Sequence, residues 1–197
     1  MAGDVFPSEV ATVVFALVLV AWVLSEIIGT GIIPMLRRKG VRVQRRTHGS
    51  NILIMIDWIV LFTVCASFAQ KGVAMLPVWV YYFGIIAMIL GIAIRQWAIA
   101  VLGRFFSGTI GVQKEQRVVD SGPYRLVRHP SYSGALLLQI GVGLAVQTWG
   151  AVVVIVIGFA LAYGHRMMVE EKVLVRELGD GYVQYMKRTK RLIPYLI

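Results

Sequence analysis

Gly122-Pro123-Tyr124-Arg125-Leu126-Val127-Arg128-His129-Pro130-Ser131-Tyr132-Ser133-Gly134 is the stretch where the only long polar segment in the second half of the chain turns apolar. Pro123 and Pro130 fix the backbone on either side of Arg125, Arg128 and His129, and Pro130 suits the first position of a helix. The free N–H groups of that helix start face His129 and favour an anion. The apolar run from Ser131 to about Thr148 crosses Trp149-Gly150 into a second, Ala151 to Tyr163. The stretch therefore opens a helical hairpin.

Composition places that hairpin in a membrane. Of 197 residues, 58% are apolar and 15% charged, the mean hydropathy is +0.74, and several apolar runs reach the ~20 residues that cross ~30 Å of hydrocarbon. The expected fold is all-α: a polytopic membrane protein of about five transmembrane helices, with a C-terminal helical hairpin and a cytosolic cofactor pocket. A net charge of +10 raises nucleic acid as a partner. The basic residues, however, sit in short segments beside apolar runs, where they set topology and meet anionic lipid, so no nucleic acid is expected. Cys65, the single cysteine, reads as packing. His48, His129 and His165 show no metal-ligand spacing, and no metal is expected. Asp4 and Glu9 stand where a signal peptide carries basic residues, so the first apolar run reads as a retained span.

In chain order, residues 10–33 form the first span, closed by Pro34. Arg37, Arg38, Lys39, Arg42, Arg45 and Arg46 follow at once, which puts this connection in the cytoplasm and the N-terminus outside. A second span covers about Asn51 to Ala69, and a third about Leu76 to Leu102. Residues 103–130 form a loop with Arg104, Lys114, Arg117, Arg125 and Arg128, again cytoplasmic by its charge. The expected organisation is one membrane domain: three N-terminal helices over residues 10–102, then a catalytic region of loop, hairpin and tail over 103–197.

The fifth helix outruns the bilayer. Met167, Met168, Val169, Val173, Leu174 and Leu178 continue an apolar face to Gly179, and a helix from Gly150 to Leu178 would measure ~43 Å. Gly179 is a plausible stop, after which Asp180 caps a short amphipathic segment holding Tyr182, Tyr185 and Met186. Its Lys187, Arg188, Lys190 and Arg191 suit lipid headgroups. Counting back from Trp149-Gly150, His129 to Tyr132 lie ~17–20 residues along one arm and Arg166 to Glu171 ~16–21 along the other, so they reach the same depth. Arg128, His129 and Tyr132 should therefore face Arg166, Glu170 and Glu171 and make a pocket for a small zwitterion. Taken singly, each residue has a plainer reading: Arg166 and Glu170 as a solvated helix pair, His129 as a cap, Tyr132 as an interfacial aromatic. Convergence at one level favours the pocket.

Glu26, Asp57 and Arg95 form a second constellation, each ~6–8 residues from the cytoplasmic end of its helix and hence roughly 10 Å within the apolar layer. The preferred reading is a mutually neutralising network that fixes helix packing. In the alternative, Arg95 faces the cavity and binds a substrate anion. Gly84, Gly91, Gly134, Gly141 and Gly143 suit close helix contact. Gly29-Thr30-Gly31 and Gly141-Val142-Gly143 join no strand to a helix and are not dinucleotide fingerprints.

Leu102-Gly103, the quoted stretch Gly122 to Gly134, Glu170-Glu171 and Gly179-Asp180-Gly181-Tyr182-Val183-Gln184-Tyr185, in that order, resemble the isoprenylcysteine carboxyl methyltransferase family over about the C-terminal half of the chain. Members are integral membrane enzymes that bind S-adenosylmethionine in a cytosol-facing pocket and methylate the carboxylate of a lipidated cysteine entering from the bilayer, leaving S-adenosylhomocysteine. The resemblance implies cofactor binding by His129, Tyr132, Glu170 and Glu171, with Tyr124 and Tyr182 beside them. Arg128 or Arg166 would orient the acceptor carboxylate, with Arg95 as a further candidate. A lipophilic or lipidated acceptor and membrane lipids are the implied partners. Related phospholipid N-methyltransferases would act on an amine and need His129 or Glu171 as base. Two rivals stay open: a membrane sterol-reductase-like enzyme using NADPH, which shares an Arg-His-Pro element and an acidic helix, and a non-enzymatic membrane scaffold.

Overall fold

The computed structural model describes residues 6–32, 49–72, 74–107, 110–111 and 116–194, without the side chains of 49–51. Pro34, the six cations from Arg37 to Arg46, His48 and Lys114 lie outside the described residues. Helix α1 runs Glu9–Glu26, its first turn capped by Ser8, whose hydroxyl accepts from the Ala11 N–H at 3.1 Å. It continues as a π-helical turn, Ile27–Ile32, to complete a 24-residue apolar rod. Helices α2 (Gly49–Lys71), α3 (Val80–Leu102), α4 (Pro130–Ala145), α5 (Trp149–Leu178) and α6 (Asp180–Arg188) follow.

Four helices, those containing Glu9–Ile32, Ile52–Lys71, Val80–Phe105 and Trp149–Leu178, are long and apolar enough to cross a membrane, so the protein is an integral membrane protein. The fourth expected span is shorter than its apolar run. Helix α4 has 16 residues, about 24 Å, because Pro130 sets its start and the chain turns at Val146–Thr148, with Gln147 at φ +56°. Helix α5 runs on past the membrane length as the apolar face predicts and stops at Gly179, whose φ of +60° is a conformation glycine takes without strain.

The tightest packing joins α3 to α4. A Cβ placed on Gly84 would lie 2.4 Å from the Ala145 nitrogen, on Gly91 2.6 Å from that of Leu138, on Gly134 2.6 Å from the Gly91 carbonyl, and on Gly141 2.7 Å from the Met88 nitrogen. Backbone meets backbone at four points along this seam, the use of small residues that membrane helices favour when no hydrophobic effect drives them together. Beside it, Leu61 and Cys65 of α2, Tyr81 and Met88 of α3, Leu138 and Val142 of α4 and Ile155 of α5 form one buried core. The outward faces of α1 to α3, with Leu17, Ile59 and Phe83 exposed, are apolar and suit lipid.

The intramembrane charges divide in two. Arg95 pairs with both carboxylate oxygens of Glu26, its Nη2 lying 2.9 Å from Oε2, and its Nη1 donates to the Ser131 carbonyl at 3.2 Å. Asp57 instead accepts from Gln139 Nε2 at 2.8 Å. The expected three-membered network is corrected here: Asp57 meets Gln139, eight residues further along α4 than the Ser131 carbonyl that Arg95 contacts, and not Arg95.

The tail after α6 folds back onto the start of α4. Residues Val127 and Lys190 form a parallel bridge, the Arg128 N–H donates to the Lys190 carbonyl at 2.7 Å, and the His129 N–H donates to that of Arg191 at 3.0 Å. The Ser133 hydroxyl donates to the Leu192 carbonyl at 2.6 Å. The segment that opens the hairpin is thereby held from both sides.

Candidate active site

Equal depth along the two arms does bring the polar ends of the hairpin together. His129 sits at the cap of α4, buried, with its ring stacked on that of Tyr132 at a centroid distance of 5.3 Å. The Tyr132 hydroxyl donates to Glu170 Oε2 at 2.7 Å and accepts from Arg166 Nε at 2.7 Å. Arg166 is only 5% exposed, which sets aside its reading as half of a solvated pair. Tyr132 bridges Arg166 and Glu170, the two groups that share one face of α5 at a separation of four residues.

Glu171 looks elsewhere. One residue further round α5 its carboxylate accepts from Arg128 Nε at 2.9 Å and from Arg191 Nη2 at 2.8 Å, and His129 Nε2 lies 3.3 Å away. Arg128 is held further by the carbonyls of Met186, at 3.1 Å, and Thr189. Three basic side chains thus surround one carboxylate that is 4% exposed, an arrangement that meets the desolvation of a buried charge with charge-assisted hydrogen bonds. Arg191, expected among the headgroup cations, turns inward to complete this cluster.

The outer wall is aromatic. Tyr124 lies in a short 3-10 turn, Gly122–Arg125, and the Tyr185 hydroxyl of α6 donates to its carbonyl at 2.8 Å. Tyr182 packs beside Tyr185 at 5.7 Å between centroids. Burial pushes the phenols of Tyr124, Tyr182 and Tyr185 above their ordinary values, and Glu170 adds to the rise for Tyr124 and Tyr182. They act as neutral walls and hydrogen-bond donors.

Between these groups and the N-terminal helices lies a cavity of about 320 Å³, within the range of small-molecule sites. Arg95, Tyr124, Arg128, His129, Tyr132, Arg166, Glu170 and Tyr182 line it, whereas Glu171 is absent from its lining. One end is ionic. The other reaches Glu26 and Thr30 of the first rod, Ile54 and Trp58 of α2, and Phe105 and Phe106 after α3. Trp22 and Trp58 stack at 4.4 Å where α1 meets α2. The two tryptophans, the paired phenylalanines and the π-helical turn are contributions that motif reading missed. Phe105-Phe106, one residue after Leu102-Gly103 at the start of the polar loop, is the one available signal. The donor set suits a cofactor with an adenine and a zwitterionic tail, offering aromatic faces, a carboxylate and a guanidinium around one space.

Comparison with known proteins sets this geometry in context. Residues 84–176 match the model of the isoprenylcysteine carboxyl methyltransferase family, a stretch that takes in most of α3, all of α4 and nearly all of α5. Protein-S-isoprenylcysteine O-methyltransferase B of Arabidopsis thaliana is 30% identical over 120 residues, covering 60% of this chain and 61% of the plant protein. The cobalt-zinc-cadmium resistance protein CzcN of Cupriavidus metallidurans is 31% identical over 100 residues, 50% of this chain and 46% of that protein. The chain thus spans about three fifths or less of these relatives. A solved structure of a eukaryotic intramembrane Ras methyltransferase, isoprenylcysteine carboxyl methyltransferase, shares the fold at a TM-score of 0.57 and 24% identity, over 76% of this chain and 54% of that one.

Proposed function

We propose that this chain, which belongs over residues 84–176 to the isoprenylcysteine carboxyl methyltransferase family, is an integral membrane methyltransferase that uses S-adenosylmethionine to O-methylate the carboxylate of a lipophilic, isoprenylcysteine-like acceptor. The observation that carries the reading is a single cavity joining the ionic cluster of α4 and α5 to the tryptophan pair of α1 and α2. A charged cofactor and an apolar acceptor each find their own surroundings in one continuous space.

S-adenosylmethionine, when bound, supplies a methyl group activated by a sulfonium. Glu170 is placed to hold its cationic groups, Arg166 to hold its carboxylate, and the rings of Tyr124, His129, Tyr132 and Tyr182 to enclose the remainder. Arg128 or Arg95 orients the acceptor carboxylate, which is ionised near pH 7 and needs no base. Trp22, Ile54 and Trp58 accept the lipid portion and keep water from the reacting oxygen. Positioning and dehydration together supply the acceleration. An amine acceptor fits less well, because Glu171, one of the two candidate bases, is committed to Arg128, His129 and Arg191. In this reading Glu171 positions His129 and Arg128. The basic residues Arg104, Arg117, Arg125 and Arg128 put the site on the cytoplasmic side, with the N-terminus outside. The loop, hairpin and tail over 103–197 act with the N-terminal helices as one catalytic membrane unit.

The test is calorimetric titration of detergent-purified protein with S-adenosylhomocysteine and with NADPH, followed by transfer of labelled methyl from S-adenosylmethionine to a small S-prenylated cysteine. Saturable heat with the first ligand alone, and label that mild base releases as methanol, are the expected results. Base-stable label would mean an N-methyl product and replace the carboxylate by an amine. Heat with NADPH alone would move the site to the reductases.

A further inference from the structure

A second hollow, of about 470 Å³, lies on the far side of Arg128 from the active-site cavity. Arg125 of the 3-10 turn, Lys187 and Arg188 at the end of α6 and Lys190 of the tail converge on it, with Leu126 and Pro194 between them. No acid lines it. Glu171 neutralises Arg128 on the inner side, and Asp120 neutralises Arg188 at 2.6 Å. Arg125, Lys187 and Lys190 remain, exposed and in no ion pair among the described residues. Like charges held around one concavity repel one another, and the tail bridge between Val127 and Lys190 prevents them from spreading apart. The arrangement calls for an anion.

Its surroundings say which anion. The bridge that builds the hollow lies three residues before the start of α4, where the apolar run begins, so the cations stand at headgroup height. Leu126, 52% exposed, lies among them. An inorganic phosphate would use the cations and leave that apolar surface in water, whereas a lipid would use both. We infer that the hollow binds the phosphate-bearing headgroup of an anionic membrane lipid, with Arg125, Lys187 and Lys190 on the phosphate and Leu126 against the glycerol and upper acyl region.

Native mass spectrometry of the full-length purified protein tests this, with dioleoylphosphatidylglycerol and dioleoylphosphatidylcholine titrated separately and inorganic phosphate as a competitor. Phosphatidylglycerol should bind at least tenfold more tightly than phosphatidylcholine. The combined Arg125→Gln, Lys187→Gln, Lys190→Gln variant should lose that preference, each cation contributing about fivefold. Raising the salt to about 1 M before transfer should weaken the preference. All three positions lie outside the methyl-transfer cavity, so S-adenosylhomocysteine binding by the variant reports whether the fold is intact. If the triple variant does not fold, Lys187→Gln alone should show the fivefold loss. Equal retention of the two lipids, an unchanged preference in the variant, or displacement of phosphatidylglycerol by millimolar phosphate would each overturn the proposal.

Discussion

Glu170 and Glu171 are neighbours in sequence with the same side chain, and they face different parts of the molecule. Glu170 lines the cavity and accepts from the Tyr132 hydroxyl. Glu171, turned about 100° round the same helix, faces the tail, where Arg128, Arg191 and His129 surround it. The cavity face of α5 has its charge presented to a space a ligand can fill. The tail face has its charge consumed in holding the chain together. The pair of acids in the motif therefore serves two environments on two faces, one a cavity and the other the folded-back tail.

Glu171→Gln should break this comparison most severely. It leaves Arg128 with one fewer anionic partner in a half-buried site and should cost about 3–5 kcal/mol, read as a fall in the thermal unfolding midpoint. An unchanged midpoint would mean that the tail is not held by this carboxylate. Glu170→Gln should leave the midpoint within about 0.5 kcal/mol-equivalent of the parent while weakening S-adenosylhomocysteine binding by roughly tenfold to a hundredfold, as measured by calorimetry. Equal damage to stability in the two variants would erase the distinction between the faces. Tyr132→Phe sharpens it, since the hydroxyl belongs to the cavity side alone: about 1–3 kcal/mol of lost hydrogen bonding at Arg166 and Glu170 should appear in ligand affinity more than in unfolding. Arg191→Gln should have the smallest effect, below about 1 kcal/mol, because its side chain is 41% exposed and solvent screens the pair.

Hydropathy and counting suffice for the helices and for the meeting of the hairpin ends. Rise per residue is constant, so equal distances from Trp149-Gly150 mean equal depth, and Arg128, His129, Tyr132, Arg166, Glu170 and Glu171 come together as counted. A count along one hairpin does not carry across separate helices. Glu26, Asp57 and Arg95 count to one level, yet Arg95 meets Glu26 and the Ser131 carbonyl while Asp57 meets Gln139, eight residues further along α4, because helix offset and rotation are decided by packing that a single sequence does not reveal. For the same reason the sequence groups Glu171 with Glu170 and leaves Arg191 among the headgroup cations. Glycine spacing was readable in advance: Gly84 and Gly91, like Gly134 and Gly141, are seven apart and mark one stripe on each helix of the seam. The π-helical turn Ile27–Ile32 left only Gly29 and Gly31 as a trace, and its contribution of Thr30 to the cavity follows from tertiary contacts.

The α3–α4 seam has a mechanical meaning. Two helices that touch backbone to backbone at four glycines leave little side-chain slack at those points, so sliding or rotation there would drive backbone against backbone. They make a single stiff blade that carries both Arg95 and His129. Helices α1 and α2, joined at the cavity by stacked tryptophans, are held by side chains that can re-pack. A substrate wider than the cavity would be met by those two helices giving way, with the glycine blade as their frame.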